Sequence, residues 1–430
     1  MKTKVLFCFD SEDYTDAYST DMLPRLADVL GRNGVCGHFM IVGLLAEAIE
    51  KQNRTDVIDA MKAHSVGFHT YGHTLHPTVA EYTDVESFEE AQRRLMAEET
   101  AAETVKRVFG VDTLCAAVPP GSSITYAAMY RYAQIGIPVY ADSPLKEAEE
   151  PVWFCNQLHI PYNYALEEYL FYPNFYVDKF LDYIAEKKQV TLYNHPNMIC
   201  HSEFWDGVNY KRTNQVEFGK WNSCPTRTEE EVERFFRHLE ILIHALQADE
   251  RFEITSIPAI LKETDRERVI SRADAMRIRE ALGENTLMPF SRAELTAAAK
   301  AFLEDPGLTE YRPEPVYGFL AEPRGCTEEI TVTEEVLREA AKELVPGQFL
   351  PEVLTADGTE IGPMDWLTAA WEILAGADSA RIEPKQQTEV PAEFEHLRKM
   401  NLRGSWMHAE DFLDTYLSDR LRLQAWTMHK

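Results

Sequence analysis

Two histidines four residues apart, His69 and His73, stand behind the apolar run Val66-Gly67-Phe68 in the stretch Gly67-Phe68-His69-Thr70-Tyr71-Gly72-His73-Thr74-Leu75-His76-Pro77-Thr78. Imidazole nitrogen is the commonest protein ligand for zinc and similar divalent ions. Such a site needs at least one more ligand, usually a carboxylate, with a position open for water. The pattern therefore calls for a second strand whose end reaches the first. The N-terminus supplies a candidate, because the five-residue apolar strand Val5-Leu6-Phe7-Cys8-Phe9 ends in Asp10-Ser11-Glu12-Asp13. Residues two apart on a strand point the same way, which puts Asp10 and Glu12 on one face. Asp13 is a rival to Glu12 for the ligand role.

The two stretches together resemble the polysaccharide deacetylase family, also called the NodB-homology or carbohydrate esterase 4 group. There a strand ends in a pair of acids and a later strand ends in His-[Ser/Thr]-x-x-His, matched here by Phe9-Asp10-Ser11-Glu12 and His69-Thr70-Tyr71-Gly72-His73. The resemblance implies Asp10 as general base, with Glu12, His69 and His73 as ligands of a divalent metal, zinc being the expected ion. The family also carries a late strand ending in Leu-x-x-His, whose histidine protonates the departing amine. In Leu192-Tyr193-Asn194-His195 that residue is His195. A histidine near neutral pKa suits general-acid work, whereas a lone strand-end histidine is otherwise a satisfied core residue. The family's Arg-x-Pro-[Tyr/Phe] motif has no arginine here. The chain instead reads Ala116-Ala117-Val118-Pro119-Pro120-Gly121-Ser122, and main-chain N–H groups of the Pro120-Gly121 loop are expected to line the substrate pocket and hold an oxyanion. Tyr140-Ala141-Asp142 is a loose counterpart of the family's Asp-x-x-Asp-Trp pattern.

The rest of the chain supports an α/β reading. Helical spacing from Met22 to Gly31 precedes a strand at Gly37 to Gly43. The alternation continues with a helix from Val57 to Lys62, the strand Val66 to Phe68, a helix from Phe88 to Phe109 and a strand from Leu114 to Val118. Further strands are expected at 138–141, 189–193 and 252–255, with a helix from Glu229 to Ala248. Alternation of this kind argues for parallel strands wrapped by helices, about seven or eight of them. The resemblance implies a distorted (β/α)7-type barrel with its chemistry at the C-terminal strand ends.

A chain of 430 residues exceeds what one core usually fills, and its character changes at the charge-dense run Glu263 to Arg268. The expected division is a barrel over 1–265 and a mainly helical accessory domain over 266–430. In the second part, 290–300 echoes 332–342. Ser291 with Glu294 and Thr331 with Glu334 read as capping boxes, Asp357-Gly358 as a hairpin turn, Pro363 to Trp371 as a helix and His408 to Trp426 as one amphipathic helix. Packing or homo-oligomerisation is the expected role of that domain.

Lys plus Arg number 43 against 71 Asp plus Glu, a formal charge of -28 that disfavours nucleic acid and anionic membrane as partners. The seven cysteines, Cys8, Cys36, Cys115, Cys155, Cys200, Cys224 and Cys326, form no C-x-x-C pair and read as reduced thiols. The first apolar run is too short for a secretory leader, so a cytoplasmic location is expected. The long polar loop after His195, containing His201 to Asp206 and Trp221 to Pro225, reads as a lid over the site.

By resemblance the function is metal-dependent hydrolysis that removes an acetyl group from an N-acetylated sugar. Hydrolysis of a small cyclic amide or ureide on the same barrel is the nearest alternative, favoured by the missing leader. A carbohydrate-binding pseudoenzyme, motivated by the missing arginine, is the third.

Overall fold

The structure is a computed structural model that describes residues 2–121, 123–141, 145, 148–265, 267–356 and 358–430. Ser122, Asp142 and Asp357, to which the sequence reading gave places, lie outside the described residues. The chain divides into two units. The first comprises Met1–Pro151, Gln157–Asp265 and Leu402–Leu417, the second Val152–Asn156, Arg266–Asn401 and Ser418–Lys430. A single cut after residue 265 is thus too simple, because residues 402–417 belong to the first unit and 152–156 to the second.

The first unit is built on parallel strands. β1 (Thr3–Ser11) pairs with β2 (Gly37–Ile41), which pairs with β3 (Ser65–Phe68). Beyond β3, Ala117 bridges Phe68 on one side and Tyr140 of β4 (Val139–Ala141) on the other. The expected strand from Leu114 to Val118 is therefore present as a paired, extended segment rather than a full ladder. The short strand β5 (Val152–Phe154) belongs to the second unit. Back in the first unit, β4 pairs with β6 (Gln157–Ile160). On the other side of β1 lies β8 (Gln189–Asn194), which pairs in turn with β7 (Tyr164–Ala165), and β9 (Phe252–Ile254) pairs with the start of β1. Closure of this sheet into a ring is not recorded among the described residues.

Val5 to Phe9 are fully buried in the central strand β1, which pairs with β2, β8 and β9. The helix Glu229–Ala248 begins at a complete capping box between Thr228 and Glu231 and buries Val232, Phe235, Phe236, Leu239, Leu242, Ile243 and Leu246. Their three-and-four spacing is one helical stripe. The expected single helix from Phe88 to Phe109 is two, Phe88–Arg94 and Met96–Phe109, because Leu95 between them has ψ near 0°.

The second unit packs the helices Ala275–Leu282, Arg292–Glu304, Glu334–Ala340 and Pro363–Leu374 around Phe302, Leu337, Trp366 and Trp371. Both indoles are satisfied, Trp366 Nε1 by the Leu337 carbonyl and Trp371 Nε1 by that of Leu295. The Ser291–Glu294 capping box is present. The Thr331–Glu334 box is not, because Thr331 lies in the strand Ile330–Val332 and the helix starts after Thr333. Leu354–Ala356 and Thr359–Ile361 pair antiparallel, as a hairpin requires.

The expected helix from His408 to Trp426 is confined to Leu417–Leu423 and a 3-10 turn at Gln424–Thr427. Acids of the first unit take the main-chain donors that a helix would use. Glu81 accepts from Ala409 N–H, and Asp84 accepts from those of Thr415 and Tyr416. Asp414, with φ 47°, turns the chain away from helical geometry as well. All seven cysteines are free thiols, and among the described residues no helix is long and apolar enough to cross a membrane.

Candidate active site

Three side chains from two strand ends converge. Glu12 follows the end of β1, and His69 and His73 follow β3. One ligand atom from each lies within 4.8 Å of the others. Glu12 Oε2 is 2.8 Å from His73 Nε2 and 3.4 Å from His69 Nε2. Relative exposures are 2, 2 and 6% for Glu12, His69 and His73, so the group is nearly closed to solvent.

The outer nitrogens of both imidazoles are held in place. His69 Nδ1 donates to the Val118 carbonyl at 2.8 Å, which fixes its tautomer and leaves the Nε2 lone pair facing Glu12 and His73. That nitrogen is buried and makes no hydrogen bond. His38, a core histidine of the same unit, behaves differently. Its two nitrogens are spent on the Phe7 carbonyl and the Ile257 N–H, each at 2.9 Å, and burial pushes it down to about 4. A buried lone pair with no donor, beside a carboxylate and a second imidazole, fits a divalent cation.

The neighbours of this group complete it. His73 Nδ1 lies 3.3 Å from Asp206, which also accepts from Thr74 Oγ1. Trp205 Nε1 donates to Glu12 Oε1 at 3.1 Å. Burial alone would raise Glu12, but His73 and His69 outweigh it and hold the carboxyl well below the usual range. Burial likewise opposes the His73 proton, yet Glu12 and Asp206 push that imidazole up to about 10. A bound cation would displace this proton, since ligating imidazole must be neutral.

Asp13 takes no part. Its carboxylate accepts from Thr15 and from Ser19 Oγ, at the approach to the helix Ala17–Arg32. His76 is bound to Glu81 at 2.8 Å and to the Tyr210 carbonyl, one step away from the ligand set.

Asp10, next to the last residue of β1, is buried and lies 3.6 Å from His195 Nε2. The other ring nitrogen of His195 is 2.6 Å from Glu167 Oε1, and Glu167 Oε2 accepts from Asn194 Nδ2. Burial would lower His195, but Glu167 first, then Glu12 and Asp10, push it up to about 10. His195 keeps 18% side-chain exposure, more than Asp10 or any of the three clustered residues, so it is the most open to solvent of the five. Burial raises Asp10, partly offset by His69 and His195. The Tyr162 hydroxyl donates to Asp10 Oδ1, and its ring stacks on Tyr193 at 4.6 Å. Tyr162 thus holds one oxygen of Asp10.

Pro120 and Gly121 follow Val118, whose carbonyl accepts from His69 Nδ1. Of the two, Gly121 alone has an N–H to offer, and its φ of 45° suits a residue without a side chain.

Sequence reasoning missed Tyr162, Glu167, Trp205 and Asp206. The last two lie in the polar loop that had been read as a lid. That loop carries a short helix, Trp205–Asn209, whose first two residues contact Glu12 and His73.

If Tyr162 orients Asp10, Tyr162→Phe lowers kcat about 10–100-fold, the usual cost of removing an orienting partner, and leaves metal content unchanged. Steady-state kinetics beside elemental analysis checks this.

No family model matches the sequence, and no curated protein matches it. Among solved structures, the chain is similar to a putative polysaccharide deacetylase from Mycobacterium smegmatis at 17% identity and TM-score 0.40, covering 61% of this chain and 90% of that one. A probable polysaccharide deacetylase from Pseudomonas aeruginosa PAO1 is similar at 11% identity and TM-score 0.38, covering 60% and 90%. Puue allantoinase is similar at 12% identity and TM-score 0.39, covering 60% and 89%. Scores of this size fall short of establishing a shared fold, and the reading of the site rests on its own geometry.

Proposed function

We propose that this chain is a metal-dependent hydrolase of carbon–nitrogen amide bonds, most simply one that removes the acetyl group from an N-acetylated sugar. One observation carries the reading: the buried triangle of Glu12, His69 and His73, with an unpartnered imidazole nitrogen, lies beside a second pair, Asp10 and His195, suited to moving protons. A divalent ion held by the triangle, with zinc expected from the two-imidazole, one-carboxylate donor set, would polarise the scissile carbonyl and acidify a water.

The protein's own groups do the rest. Asp10, held by Tyr162 at one oxygen, takes the proton of the attacking water at the other. His195, held by Glu167 at Nδ1, delivers a proton from Nε2 to the leaving nitrogen. The Glu167 carboxylate beside Nδ1 favours the protonated imidazole. The Gly121 N–H is the loop's donor for the developing oxyanion. Trp205 and Asp206 keep Glu12 and His73 in register.

The enclosure of the site favours a second reading, hydrolysis of a small cyclic amide or ureide, because a compact substrate needs little open groove. Acetate release from chito-oligosaccharides, run beside a panel of ring amides with the zinc-loaded protein, tests both. Turnover of an acetamido sugar supports the first reading, turnover of a ring amide alone supports the second, and turnover of neither overturns the hydrolase assignment.

A further inference from the structure

The loop that carries both histidines is held in an unusual backbone conformation. Thr70 has φ 65° and His73 φ 54°, left-handed values that cost a non-glycine residue of order 1 kcal/mol or more each and persist only when the surroundings impose them. Two of the restraints come from the chain after β2. Gly43 N–H donates to the Thr70 carbonyl and Leu44 N–H to that of Tyr71, both at 2.9 Å. Gly43 is needed for this approach, since a Cβ there would lie 2.7 Å from Ala101 Cβ and 3.2 Å from the Tyr71 carbonyl oxygen. The third restraint is a side chain. Midway between the two histidines, Tyr71 N–H donates to Glu98 Oε2 at 2.9 Å.

Glu98 sits on the helix Met96–Phe109 with 3% exposure. Its other contacts are the Tyr132 hydroxyl at 3.1 Å on the same oxygen and the Tyr82 hydroxyl at 2.8 Å on Oε1. No cation pairs with it among these contacts. A carboxyl buried in this way is expensive, and an apolar residue would serve packing alone better. Every one of its bonds either fixes Glu98 itself or fixes the loop.

We propose that Glu98 is a positioning residue for the metal ligands, its carboxyl holding the Tyr71 N–H so that His69 and His73 close on one cation together with Glu12. The inference rests on the metal reading above and adds a residue to it that touches neither the cation nor the substrate. Glutamine is the conservative replacement, because its amide oxygen can accept from Tyr71 while its NH2 faces a tyrosine oxygen. Burial, only partly offset by the two hydroxyls and the Tyr71 N–H, already raises the native carboxyl to about 7, so a neutral group is tolerated there.

The test is zinc affinity of the full chain, measured by competition with a chromophoric chelator, alongside thermal unfolding of the metal-free protein. Glu98→Leu is expected to weaken zinc about tenfold or more, the range seen for residues that orient ligands, and Glu98→Gln by clearly less. Leu239→Ala, a core truncation on the helix Glu229–Ala248, is the control: it lowers the melting temperature and leaves zinc affinity as it was. A folded Glu98→Leu protein with wild-type affinity overturns the proposal. If that variant does not fold, Tyr82→Phe takes its place, with weakened zinc supporting the proposal and unchanged affinity overturning it. A wild-type chain that takes up no zinc overturns the metal reading itself, and this inference with it.

Discussion

His73→Ala is expected to give a folded protein that holds little or no zinc and shows no turnover. The side chain removed is one of three that meet within 4.8 Å, and the two that remain cannot enclose a cation. Loss of a residue that merely orients a ligand costs about 10–100-fold in affinity, so loss of a ligand must cost more. The apolar core of the first unit lies elsewhere, in strands such as Val5 to Phe9 and the helix Glu229–Ala248, and survives the change. A core histidine would give the opposite result. Removing one that satisfies buried partners, as His38 does for Phe7 and Ile257, costs about 1–3 kcal/mol of stability and leaves metal content alone. Elemental analysis and a melting curve on the same preparation separate the two cases. A variant that keeps one equivalent of metal but melts several degrees lower would remove His73 from the ligand set.

Asp10→Asn is expected to separate binding from chemistry. The amide keeps the shape of the carboxylate and can still accept the Tyr162 hydroxyl, but it has no negative charge with which to take a proton. Turnover should fall about 10²–10⁴-fold, the usual contribution of a general base, with zinc retained in full. Loss of zinc along with activity would make Asp10 a ligand instead. Unchanged turnover would place the base elsewhere.

The parts of this molecule that are legible in its sequence are those written in local periodicity. The continuous apolar run of β1 marks a buried parallel strand, and the apolar spacing from Val232 to Leu246 marks the helix Glu229–Ala248, because each signal lies within one element. The meeting of Glu12 with His69 and His73 could be anticipated because each follows a short apolar strand, and parallel strands bring their C-terminal ends to one side. The supporting residues carry no such signal. Tyr162 reaches Asp10 across a separation of 152 residues, and Trp205 reaches Glu12 across 193. No spacing rule connects them. The first part of the expected helix from His408 to Trp426 misled for a related reason: its pattern is helical, but Glu81 and Asp84, more than 300 residues earlier in the chain, take N–H groups of Ala409, Thr415 and Tyr416. Tertiary hydrogen bonds won over local propensity there.

Glu12, His69 and His73 are expected to hold one divalent cation between them. The most direct measurement is an anomalous-difference map from crystals grown with zinc, recorded on both sides of the zinc absorption edge. The structure predicts a single strong peak about 2.0–2.2 Å from a Glu12 carboxylate oxygen and from Nε2 of both histidines. Zinc-loaded crystals with no peak among these three side chains would contradict it.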